Sequence, residues 1–216
     1  MGATILTCMS SEELWALMAL ATVGTFTPGP NTALSATLAA NHGMRRTLPF
    51  VCAVPTGWGV LLILNAAGLG VMVLGYPPLR WGLLAAGVLY LLWLAWKLAN
   101  TQGLSEAPLG PVVGFKQGVM LQFINIKAWF LALSVVSGWV IGHEDTMARL
   151  LETLPILMLF GLTSNLTYAW LGASLRQWLR GPNDTDKRLQ RFNRLMALAL
   201  LGTVVWMIRS AALQIA

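Results

Sequence analysis

The chain has 216 residues, 56% of them apolar and only 10% charged, with a mean hydropathy of +0.67. A soluble domain carries about 25% charged residues, so this composition cannot cover a water-facing surface and excludes both a cytosolic globular enzyme and a disordered chain. The net charge of +6 is scattered between apolar blocks, a distribution that orients a protein in a membrane rather than one that grips nucleic acid.

A spanning helix needs about 20 mainly apolar residues. Six such blocks follow one another near 14–40, 48–74, 79–99, 115–141, 150–175 and 195–215. The first is not a signal peptide: its flank holds Glu12 and Glu13 without Lys or Arg, and it runs on through Thr27-Pro28-Gly29-Pro30. Long continuous runs also exclude the short alternating strands of a β-barrel. Loop charge predicts the direction. Arg45, Arg46, Lys97, Lys116 and the six Lys and Arg residues from Arg176 to Arg194 fall on connections 1–2, 3–4 and 5–6; Arg80, Arg149 and Arg209 fall on the opposite side. That excess places the odd-numbered connections in the cytoplasm and both termini outside. Trp15, Trp81 and Trp139 near outer ends, with Trp93, Trp96 and Trp178 near inner ends, suit an aromatic belt, whereas Trp206 falls in the outer half of the sixth span.

Little else is left over. The longest polar stretch, 181–194, is a short loop carrying Asp184 and Asp186 among basic residues. No phosphate-binding loop and no metal-ligand spacing occurs, so no cofactor and no metal is expected. Cys8 and Cys52 make no disulfide framework, and Cys52, inside an apolar run, reads as a small hydrophobe. His42 and His143 fall in loops and read as solvated surface residues.

Two blocks are interrupted. In the first, Thr27-Pro28-Gly29-Pro30-Asn31 removes backbone donors and clashes with preceding carbonyls. This predicts an outer half-helix ending near Thr27 and an inner half-helix with Pro30 in its first turn. The freed backbone groups must then face protein or a water-filled cavity. In the fourth, Gln122-Phe123-Ile124-Asn125-Ile126-Lys127-Ala128 places Lys127 about twelve residues, roughly 18 Å, from the inner end. An unpaired ammonium at that depth costs at least about 2.5–3.5 kcal/mol. All eight acidic residues lie outside the spans or at their edges, so none is placed to pair with it.

These features predict an all-α integral membrane protein of six transmembrane helices, one domain made of two inverted three-helix repeats near 14–99 and 115–215. The first helix of each repeat carries the break, the best pointer to a midplane substrate site. The open N-terminus of the inner half-helix near Pro30 and Asn31 and the charge of Lys127 both favour an anion such as a carboxylate. Carbonyls ahead of Pro28, with Asn31, Asn125 and Asn165, are candidate acceptors for an ammonium, so the expected guest is a zwitterionic amino acid. Plainer readings stand beside these. Pro-Gly-Pro also makes a simple kink, and Lys127 serves equally as a structural ammonium. Asn65 and Asn165 read first as interhelical hydrogen-bonding residues, Gly114-x-x-x-Gly118 and Gly138-x-x-x-Gly142 as packing faces, and Trp58, Trp129 and Trp170 as packing or lipid-facing rings.

Over nearly its full length the chain resembles the LysE/RhtB family of bacterial amino-acid exporters. The resemblance rests on Thr27-Pro28-Gly29-Pro30-Asn31, His42-Gly43-x-Arg45, Leu91-x-Trp93-Leu94-Ala95-Trp96-Lys97, Gly118–Ala128 and Arg191-Phe192-Asn193-Arg194. Leu121–Lys127 and Trp93–Lys97 look most like its cysteine/O-acetylserine branch. The family implies a six-helix inner-membrane carrier that expels amino acids or close derivatives using the proton gradient, and the loop charges then put both termini in the periplasm. Two departures stand out. Many members read Asn-Pro-Lys where this chain has Asn125-Ile126-Lys127, which predicts a milder break; many carry an Asp in span two where Pro55-Thr56-Gly57-Trp58-Gly59 has no acid.

The expected function is therefore secondary export of small neutral amino acids or derivatives, with Pro28, Gly29, Pro30 and Asn31 forming the broken-helix wall and Asn125 and Lys127 facing it. With no acid in the spans, Lys127 itself is the candidate group for moving a proton. Partners are the substrate, protons and the lipid bilayer, with a homo-oligomer open and no nucleic acid. The alternatives are a passive pore for small polar solutes and a non-transporting scaffold. An enzyme is disfavoured because no acid, His or activated nucleophile sits within a span.

Overall fold

The structure is a computed structural model that describes residues 9–100, 113–180 and 187–213. Cys8, Glu106, Asp184, Asp186 and the end of the sixth predicted span lie outside the described residues. Among those described, helices joined by short turns make up the chain and no strand occurs. The helices are α1 (Ser11–Phe26), α2 (Pro30–His42), α3 (Met44–Ala66), α4 (Leu69–Gly75), α5 (Pro77–Ala99), α6 (Phe115–Ile124), α7 (Ile126–Val135), α8 (Thr146–Arg180) and α9 (Lys187–Leu213). One π-helical turn, Val136–Val140, extends α7.

Four helices, α3, α5, α8 and α9, are long and apolar enough to cross a membrane, and α6 with α7 makes a fifth crossing if that bent pair counts as one. The predicted first span is two helices of 16 and 13 residues, each too short to cross alone. Local chemistry sets their ends. Ser10 caps α1, its hydroxyl accepting from the Glu13 N–H while its own N–H donates to the Glu13 carboxylate. Pro28 then holds Thr27 extended, and Pro30 opens α2 at the position where a missing N–H costs nothing.

Two predicted boundaries change. The second block is two helices, because Gly68 at φ +89° takes the left-handed conformation that ends α3 before α4 begins. The sixth helix starts at Lys187, well before the apolar block near 195. Leu189 and Asn193 are buried on one face while Arg188, Arg191 and Arg194 are exposed on the other, so an amphipathic turn precedes the apolar part.

The outside of the bundle is apolar. Trp15, Leu89, Trp96, Leu151, Trp170 and Trp178 are all exposed, an arrangement water does not tolerate but lipid does. The inside is organised around α2, which is buried at every position from Thr32 to Asn41 and packs chiefly on α8, α3 and α9. Gly118 meets Ala53 and Phe50 of α3, as a packing glycine should. The predicted Gly138–Gly142 face is not one. A Cβ on Gly138 or Gly142 would meet nothing within 4 Å among the described residues, and Gly142, at φ +90°, follows Ile141, the residue that ends the π turn. Cys52 is an exposed free thiol. His42 is not a solvated surface residue either: it is the last residue of α2, and its Nδ1 is buried without a partner among the described residues.

Candidate functional site

The break between α1 and α2 releases carbonyls, and α8 takes two of them. The Ser164 hydroxyl donates to the Thr25 carbonyl at 2.7 Å, and the Tyr168 hydroxyl to the Phe26 carbonyl at 2.9 Å. The expectation that carbonyls ahead of Pro28 stand open is corrected for these two, since α8 carries hydroxyls at the matching heights. At the start of α2, the Thr32 hydroxyl accepts from the Gly29 N–H at 2.9 Å, and the Ala33 N–H donates to the Gly29 carbonyl. The Asn31 and Thr32 N–H groups, in the first turn, have no partner among the described residues.

The second break is sharper than the missing proline suggested. Helices α6 and α7 bend by 73°, and Asn125 between them is extended, at φ −87° and ψ 95°. Its side-chain oxygen accepts from the Lys127 N–H at 3.2 Å, an N-cap that restarts the helix without proline. Trp129 steadies the same break from below, its indole N–H donating to the Phe123 carbonyl at 2.8 Å.

The two breaks meet at one cavity of about 80 Å³. A water needs about 10–15 Å³ on this measure, so the space suits several waters or one small solute. Gly29, Pro30, Asn31, Asn125, Lys127 and Asn165 line it, as do Trp58 and an apolar wall of Leu20, Leu131, Val135 and Leu157. Pro28 does not: it is exposed and outside the lining, so its part is to break the helix and not to touch a guest. The Lys127 Nζ lies 3.8 Å from where a Cβ on Gly29 would stand and 6.0 Å from the centre of the Trp206 ring. It has no hydrogen-bond or ion-pair partner among the described residues. Among the described residues, no acid lines the cavity.

The amides differ from expectation in one respect. Asn31 and the fully buried Gln122 exchange two hydrogen bonds, at 2.9 and 3.1 Å. Asn165 accepts from the Ser35 hydroxyl at 2.9 Å and donates to the Gly161 carbonyl. Both side chains are thus engaged with protein, as the interhelical reading of Asn165 anticipated. Asn65 is not interhelical: its Nδ2 donates to Leu61 of its own helix. Gln122 was not among the predicted site residues, although a glutamine deep in the fourth apolar block, three residues before Asn125, was the available signal. Of the mid-span indoles, Trp58 lines the cavity, Trp129 is buried and Trp170 is exposed.

At the far end of α1 the bundle is tied shut by charge. Arg149 pairs with Glu13 at 2.9 Å, and the Trp139 indole N–H donates to the Glu13 carbonyl at 2.9 Å. Hydrogen bonding by Arg149 and by the Ser10 N–H holds the Glu13 carboxyl down to about 2.

Comparison with known proteins adds three findings. The model of a family described as LysE type translocator matches residues 22–210. The cysteine/O-acetylserine efflux protein of Salmonella typhimurium (strain LT2) is 30% identical over 147 residues, covering 68% of this chain and 75% of that protein. The cysteine/O-acetylserine efflux protein of Escherichia coli (strain K12) is 25% identical over 173 residues, or 80% of this chain and 88% of that protein. No solved structure matches the chain.

Proposed function

The chain belongs to the LysE family of translocators, and from that premise we propose that it is a secondary exporter of small neutral amino acids or their derivatives, working by alternating access. It is a multi-pass membrane transporter and not an enzyme. Relatives named for efflux of cysteine and O-acetylserine support a compact substrate, and the small cavity agrees with that size. In this reading the broken α1–α2 unit and the bent α6–α7 pair are the first spans of two inverted repeats, 14–99 and 115–215, which brings the crossings to six. Both termini lie outside, and the cation-rich connections lie in the cytoplasm.

The observation that carries the proposal is the meeting of Lys127 with the start of α2. A full positive charge and a helix N-terminus share one cavity that no acid lines among the described residues, a pair that favours a carboxylate. Gly29, Pro30 and Asn31 supply the helix end, Asn125 holds the lysine's backbone, and Asn165 fixes the wall through Ser35. Lys127 is also the coupling group, giving up a proton on one side of the membrane and regaining it on the other. Replacing Lys127 with Met should abolish amino-acid export from preloaded proteoliposomes while leaving protein yield near normal. Undiminished export would remove Lys127 from the site.

A further inference from the structure

Resting on that export reading, we infer that Gly161 is the residue that sets how large a substrate side chain this cavity admits. The cavity is layered along its helices. Its charged floor is Lys127 beside Gly29, at the start of α2. One turn beyond Lys127 on α7, Leu131 packs on Gly24 of α1, and Gly161 lies one turn from Asn165 on α8. Four residues further on the same three helix faces, Leu20, Val135 and Leu157 close the layer above. A substrate carboxylate belongs at the floor, with Lys127 and the start of α2. The amine meets the Gly24 carbonyl, whose helical donor would be the N–H that Pro28 lacks. The side chain is then left to the apolar layers, where Gly161 stands.

Three glycines line the cavity, and they differ in what occupies the place of the missing side chain. A Cβ on Gly24 would stand 3.1 Å from Leu131 Cδ2, and one on Gly29 would stand 3.8 Å from Lys127 Nζ. A Cβ on Gly161 would meet only Pro55, at 3.7 and 4.0 Å, which is ordinary contact with another lining residue. The room beside Gly161 therefore belongs to the guest and not to a neighbouring side chain. The backbone gives no other reason for a glycine here. Gly161 lies inside α8, where glycine weakens a helix relative to alanine. It makes no backbone approach like that of Gly172 to Ala36. Adding one methyl group to this wall removes part of a space of about 80 Å³, and a single carbon in an apolar pocket discriminates substrates by about 10–200-fold.

The test is counterflow with the purified full chain in proteoliposomes, using serine, cysteine, threonine and O-acetylserine, four neutral amino acids of increasing side-chain size. Gly161→Ala keeps the backbone carbonyl that Asn165 uses and has room for its Cβ, so the variant should fold and melt no lower than the unaltered protein. Its exchange should fall progressively along the series, with the ratio of the smallest to the largest compound exchanged rising at least about tenfold. Leu131→Ala, which enlarges the same space, should move that ratio the other way. An equal loss for every compound in Gly161→Ala, or no loss, overturns the inference and leaves the export reading standing. Exchange of none of the four by the unaltered protein brings down the export reading and this inference with it.

Discussion

Asn31 and Gln122 stand 91 residues apart in the chain yet hold each other through two hydrogen bonds, Asn31 Nδ2 to Gln122 Oε1 at 2.9 Å and Gln122 Nε2 to Asn31 Oδ1 at 3.1 Å. One residue sits in the first turn of α2, and the other three residues before the bend at Asn125, so this amide pair ties the two breaks to each other. Buried polar pairs between membrane helices contribute about 0.6 kcal/mol on average and up to about 1.7. A double-mutant cycle of Asn31→Ala and Gln122→Ala, followed by thermal denaturation in lipid, should give a coupling in that range. The swapped pair, Asn31→Gln with Gln122→Asn, should recover part of it. Zero coupling would dissolve the link.

The tie between Glu13 and Arg149 carries a pH dependence whose sign follows from the depressed carboxyl. Glu13 titrates near 2 when folded against an ordinary value of 4.5. Its contribution is therefore fully present above about pH 4.5 and is lost as the pH falls toward 2. Melting temperature in detergent should fall between pH 4.5 and 2.5, and Glu13→Gln should lie lower at neutral pH with a shallower acid slope. Parallel acid slopes in the two proteins would show that the tie contributes nothing.

Much of this architecture is legible in the residues themselves. Two prolines around Gly29 dictate a helix end and a helix start, and their places, Thr27 and Pro30, follow from which N–H groups proline lacks. The convergence of Lys127 on that break was legible too, because a cation in an acid-free apolar block has few stable destinations. What the sequence hid is pairing across the bundle. Nothing local says that Ser164 and Tyr168 will cover the carbonyls of Thr25 and Phe26, or that Asn31 will spend its amide on Gln122. Those contacts depend on helix rotation and height. The length of α9 was obscured for another reason: arginines on one face mask an amphipathic turn in any averaged hydropathy.

The bend at Asn125 yields a backbone test. Asn125 caps α7, and Ile126 is its first residue, where a proline would lose no helical hydrogen bond. Ile126→Pro should therefore keep the bend and export, at a modest cost from the lost packing of a buried isoleucine. Asn125→Ala should cost about 0.5–2 kcal/mol through loss of the cap. If Ile126→Pro lowers the melting temperature more than Asn125→Ala does, this account of the bend is wrong.

Gly172 governs how closely α2 can lie against α8. A Cβ placed on it would collide with the Ala36 carbonyl oxygen and stand only 2.8 Å from the Ala36 carbonyl carbon and 2.9 Å from its Cα. All three are backbone atoms of a buried helix, so neither side can yield by a rotamer change, and the two axes must separate. That movement would strain the Ser35–Asn165 hydrogen bond, which joins the same two helices beside the cavity. Overpacking of this kind costs about 1–3 kcal/mol. Gly172→Ala should lower the melting temperature and reduce substrate binding together. Gly202→Ala, on α9 with nothing within 4 Å, is the matched control and should change neither. Equal behaviour of the two variants would mean that α2 and α8 are less closely packed than described.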